Sequence, residues 1–104
     1  MKVSMDRFQE AVKAAIDSIP AQFQPYLEHV EFRIEARSEQ GLLGLYEGVS
    51  ALEDGDGLPN FVTIFKAEHE AEADTWDELV EEVRRTILHE VGHHFLMEED
   101  ELPY

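Results

Sequence analysis

From Thr75 onward the apolar residues Trp76, Leu79, Val80, Val83, Ile87 and Val91 return every three or four positions. That spacing marks one buried face of an α-helix. Thr75 can cap its start, Asp77 and Glu78 suit the positive end of the helix dipole, and the pattern runs through His93 to about Leu96. At about 1.5 Å per residue, such a helix is roughly 30 Å long, the width of a small domain. In a chain of 104 residues, everything else has to pack along it.

Met5, Phe8, Val12, Ala15, Ile16 and Ile19 describe a second helix with a narrow apolar face, ended by Pro20. After a loop or short turn around Pro25, Val30, Phe32 and Ile34 alternate with Glu31, Arg33 and Glu35. A period of two is that of a half-buried strand. "LLGLYEG", between Gly41 and Gly48, reads as a second strand, and "NFVTIFKA", rich in β-branched and aromatic residues, as a third. "SALEDGDGLP" between them reads as a loop. Its "DGDG" is no EF-hand, because the twelfth position counted from Asp54 is Phe65 rather than a bidentate glutamate. The expectation is one α+β domain over residues 1–104: a mixed sheet of three to four strands packed on an N-terminal and a long C-terminal helix.

With no cysteine, disulfides, thiolate metal sites and thiol nucleophiles are excluded. Any transition metal must sit on His, Asp or Glu. The 24 acidic residues against 8 basic ones give a net charge of −16, which repels a phosphate backbone, so nucleic acid is not an expected partner. The opening segment contains no apolar run of signal-peptide or membrane length, which points to the cytoplasm and to no membrane partner.

Within the long helix stands His89-Glu90-Val91-Gly92-His93. Residues four apart lie one turn above each other, so two imidazoles can converge on one tetrahedral zinc ion. Glu90, offset by about 100° from His89, stands where a carboxylate can take a proton from the attacking water. With Ile87 as the centre of the apolar face, steps of about 100° place His89 near 200° and His93 near 240°, away from the core. His94 falls near −20°, inside the stripe, and reads as a packed histidine. His29 and His69 have no partner at ligand spacing and read as surface or structural.

A catalytic zinc takes three protein ligands and keeps a fourth position open. Eleven residues follow His93, too few for a third ligand from a distant second helix. The alternative spacing draws the donor from just beyond a turn after the helix. Counted from His89, that position is Glu99, with Asp100 second; Glu98 and Glu101 flank them, and each can equally be part of an ordinary acidic tail.

"RRTILHEVGHHF" followed by acidic residues, "LLGLYEG", "LPNFVTIFK", and an N-terminal helix leading through proline into "VEFRIE" occur together in this chain. In this combination the chain resembles the minimal zincins, a bacterial family of zincin-like metallopeptidases, over nearly its whole length. The resemblance implies a zincin-like fold, Zn2+ as cofactor, His89, His93 and Glu99 as its ligands, Glu90 as general base, and a peptide or protein substrate. Leu96 stands where the family commonly has glycine, and Glu99 where it commonly has aspartate. Leucine resists the positive φ that glycine takes at no steric cost, so the helix is expected to run longer here and the longer glutamate to recover the reach.

Proteolysis also needs a groove. "FVTIFK" is expected as the sheet edge beside the site helix, open to an extended peptide, or as a plain edge guarded by Lys66. Tyr46 suits packing between strand and helix better than polarising a carbonyl. The expected function is zinc-dependent hydrolysis of peptide bonds. A non-catalytic acidic module that docks on a basic partner is the rival, and a DNA mimic comes third.

Overall fold

The computed structural model describes residues 1–28, 30–48 and 60–94, apart from the side chains of residues 93 and 94. The first helix, α1 (Met5–Asp17), starts at Ser4, whose hydroxyl accepts the Arg7 N–H at 3.1 Å. Phe8, Ala11, Val12 and Ala15 form its buried face, the i, i+3, i+4, i+7 pattern of an amphipathic helix. Met5, at the edge of the expected stripe, is exposed. The helix stops before Pro20 because Ser18 closes it, its N–H reaching the Ala14 and Ala15 carbonyls. Gln24 Nε2 then donates to the carbonyls of Ile16 and Ile19, at 3.1 and 2.9 Å. The turn around Pro25 is itself helical, a 3-10 turn at Ala21–Phe23 running into α2 (Gln24–Leu27).

Three strands follow: β1 (Val30–Glu35), β2 (Gly44–Glu47) and β3 (Asn60–Phe65). They lie in the order β1-β3-β2, β1 parallel to β3 and β2 antiparallel to it. Phe32, Val62 and Tyr46 share one row, and Ile34, Ile64 and Gly44 the next. This corrects the expectation that "FVTIFK" is the edge. β3 is central, and among the described residues β1 and β2 are the edges. The side chains fit that position: Val62, Thr63, Ile64 and Phe65 are all buried, without alternation, with a neighbouring strand on each side of them. β1 and β2 keep buried or half-buried residues on one face and exposed ones on the other. Nor does Lys66 guard an edge. It opens a helix, α3 (Lys66–Glu72), and its ammonium bonds Glu70 at 3.0 Å.

The long helix, α4 (Trp76–His94), is capped as expected: the Glu78 N–H donates to Thr75 Oγ1 at 3.2 Å. Leu79, Val83, Ile87, Leu88 and Val91 are buried along it. They form one core with Val62 and Ile64 of the sheet and with the apolar face of α1, which packs directly on α4. The Arg7 guanidinium lies 4.1 Å from the Trp76 ring centroid and adds a cation–π contact to that seam. The architecture is α+β: helices on one face of a small mixed sheet. Among the described residues no helix is long and apolar enough to cross a membrane.

The Met1 ammonium donates to the carbonyls of Glu70 and Ala73 at 2.8 and 2.7 Å, and the Val3 N–H to the Glu70 carboxylate at 2.7 Å. The leading segment is thus tied to the end of α3. The carboxylate of Glu68 accepts the Ser38 N–H, which fastens the loop after β1 to the same helix.

Candidate active site

One face of α4 packs into the core; another lies open beside the segment that leads into β2. Glu82, Arg85, Thr86, His89 and Glu90 line this second face, spaced three and four residues apart, so they rise along the helix turn by turn. Leu42, Leu43 and Gly44 form the facing wall. Between them lies an open groove of about 350 Å³. His89 is exposed and Glu90 half-buried within it. The expected separation of His89 from the core face of α4 is what the structure has.

Gly44 lets the two walls approach. A Cβ there would lie 2.5 Å from Thr86 Cγ2, 3.3 Å from the Thr63 carbonyl oxygen and 3.5 Å from Glu90 Cγ. The first distance is a clash. The β2 backbone therefore rests on Thr86 and Glu90 at a spacing that only glycine permits.

Thr86 is held from its other side. His69, fully buried on α3, has Nδ1 2.7 Å from the Phe65 carbonyl and Nε2 2.8 Å from Thr86 Oγ1. A carbonyl can only accept, so Nδ1 carries the proton, and in the neutral ring Nε2 accepts from the Thr86 hydroxyl. The hydroxyl also lies 3.0 Å from the Glu82 carbonyl, and its proton is shared between the two. Burial pushes the His69 pKa below the usual range, against the Phe65 carbonyl bond and the charges of Glu82, Glu68 and Glu72. His69 is structural, as its sequence context suggests, but it is a core residue and not a surface one.

Tyr46 is half-buried against the core cluster, with its pKa pushed up to about 12 by burial. It stays a neutral phenol packed against the core. Gly44 and Thr86 have no place among the sequence candidates, although one signal exists: Thr86 stands one turn before Glu90 on the same helix face.

Of the expected ligands, His89 stands at the groove, and α4 extends through His93. Helix geometry sets the Cα of His93 one turn beyond that of His89. Its side chain lies outside the described residues, as do those of His94, Glu99, Asp100 and Leu96, all of His29 and the "DGDG" loop. Among the described residues no three His, Asp or Glu side chains gather as a metal site. The donor chemistry nonetheless suits zinc: an exposed imidazole beside a groove, a second histidine one turn on in the same helix, and a carboxylate between them in sequence.

A solved structure, a conserved hypothetical protein from Thermo thermophilus, is similar with a TM-score of 0.61 at 27% identity, over 89% of this chain and 94% of that one. No curated protein matches the sequence. The profile of a family described as zincin-like metallopeptidase matches residues 17–104. With its site helix, mixed sheet and groove inside that span, the chain belongs to the zincin-like metallopeptidase family.

Proposed function

We propose that the protein hydrolyses peptide bonds with zinc, held by His89, His93 and a carboxylate from the acidic segment that follows, Glu99 first and Asp100 second. The observation that carries this reading is the pairing of His89 and Glu90 on the open face of α4, against a groove wide enough for a side chain. When bound, zinc supplies Lewis acidity that polarises the scissile carbonyl. Glu90 accepts a proton from the attacking water as its oxygen bonds to the carbonyl carbon. When the C–N bond breaks, the same carboxyl returns a proton to the departing amine. Leu42 and Leu43 give one side of the groove an apolar wall against which a substrate side chain can pack. β2, as an edge strand, offers backbone groups to an extended peptide.

The test joins composition to turnover. Elemental analysis of protein purified without chelators should give about one zinc per chain, as expected for a three-ligand catalytic site, and His93→Ala should lose it. Glu90→Gln should keep the zinc and lose activity on a peptide substrate by about 10²- to 10⁴-fold, the usual contribution of a general base. Full turnover in that variant refutes the mechanism.

A second reading rests on charge. Glu31, Glu35 and Glu47 are exposed on the edge strands in a chain of net charge −16, a surface suited to docking on a basic protein. Salt-sensitive binding to such a partner, with no zinc and no cleavage, selects this reading over the first.

A further inference from the structure

We propose that Thr86 is a positioning residue of the hydrolytic site: its methyl group is the spacer that sets the distance between β2 and Glu90. The inference rests on the hydrolase reading above and adds a residue outside the metal-binding run.

Three observations converge on it. Gly44 has no room for a Cβ because Thr86 Cγ2 occupies that space, and Glu90 Cγ lies at ordinary contact distance from the same point. Thr86 and Glu90 are four residues apart on α4, so β2 meets both at once. The Thr86 side chain is also not free to turn. Its hydroxyl is held between His69 Nε2 and the Glu82 carbonyl, and this fixes the methyl toward β2. His69 is in turn anchored to Phe65, at the end of β3, and is fully buried. The chain of contacts runs from the central strand through an imidazole and a threonine to the edge strand, and closes beside the general base. A side chain serving only the core has no need to bear on the groove wall; Thr86 does both.

The consequence concerns reaction geometry. A peptide aligned on β2 presents its carbonyl at a height set by that strand, while Glu90 is fixed to α4. Their separation governs the attack, and an error of about 1 Å in such positioning costs on the order of 10²-fold in rate. The substrate's own contacts stay the same, so the loss falls on kcat and not on KM.

A size swap tests this. Gly44→Ala drives a methyl into Thr86 Cγ2, and Thr86→Ser removes Cγ2 while keeping the hydroxyl on His69. Gly44→Ala should lower kcat of the zinc-loaded enzyme at least about tenfold, and Thr86→Ser several-fold, with KM within about twofold of the parent in each. The double variant should regain kcat to within about threefold of the parent, far above the product of the single effects. Thermal melts of the metal-free protein give a readout apart from turnover: the melting temperature lost in Gly44→Ala should return in the double variant. Multiplicative kcat losses without rescue overturn the proposal, as does an undiminished kcat in Gly44→Ala. Restored melts without any kcat effect assign Thr86 to the core alone and overturn it too. If the zinc-loaded parent cleaves no peptide, the hydrolase reading fails by itself; the spacer is then judged on the melts, where absent restoration refutes it.

Discussion

His69 shows how a single buried side chain couples pH to folding. Because burial depresses its pKa, the unfolded chain binds a proton that the folded one refuses. Its contribution to stability is full above the ordinary value of 6.5 and is lost as pH falls through the lower, folded value. Glu70 acts in the same direction in a more acid window. Burial opposes its charge, but the Val3 N–H and the Lys66 ammonium prevail and hold its carboxyl below 4.5. Its contribution is present above that value and lost as pH falls through the depressed one. Melting temperature should therefore drop as pH is lowered from about 7 to about 5, and His69→Gln, which removes the titrating ring, should flatten that slope in calorimetric scans. Thr86→Val keeps the methyl, puts a second one in place of the hydroxyl, and so strips the donor from His69 Nε2. An acceptor left unsatisfied at full burial costs about 1–3 kcal/mol, a loss that denaturant titration would resolve. Neither coupling was legible in the sequence. A histidine in "KAEHEAE" has no apolar neighbours to announce that it enters the core.

Among the elements, legibility followed periodicity. α1, α4 and the alternating β1 could be read because one face is apolar and the other charged. α3 was missed because the side chain it buries is an imidazole; its signal was composition, Ala, Glu and Lys with a Lys66–Glu70 pair four apart. The position of β3 was misjudged for a related reason. Its dense run of apolar residues fits several places in a sheet, and pairing order is a property of the assembled strands. The caps were readable from residue type. Thr75→Ala should lower stability by about 1 kcal/mol through the loss of the bond to Glu78, seen as a small shift in denaturation midpoint. Ile87→Ala, at the fully buried centre of α4, should cost about 2–5 kcal/mol by opening a cavity. If the Ile87 variant melted like the parent, the contact of α4 with the sheet and α1 would be misassigned.

At the scale of the whole molecule, charge and topology set the behaviour. A net charge of −16 repels itself, and the described ion pairs at Arg7–Glu10, Arg84–Glu81 and Arg85–Glu81 are largely solvent-screened. Added salt should thus raise the melting temperature as the Debye length shrinks from about 30 Å at 0.01 M to about 10 Å at 0.1 M; a fall would mean that ion pairs outweigh repulsion. Fold class and candidate metal chemistry could be read at this scale because they depend on the order of periods and on one short motif. The groove could not, since its facing wall, Leu42 to Gly44, is far from His89 in the sequence. The seam between α1 and α4 spans a still greater separation. A nascent chain leaving the ribosome presents the apolar face of α1 without its largest helical partner until α4 has been synthesised. The groove that α4 shares with Leu42, Leu43 and Gly44 therefore takes shape only once every element preceding that helix has emerged, and a shorter nascent fragment has one wall without the other.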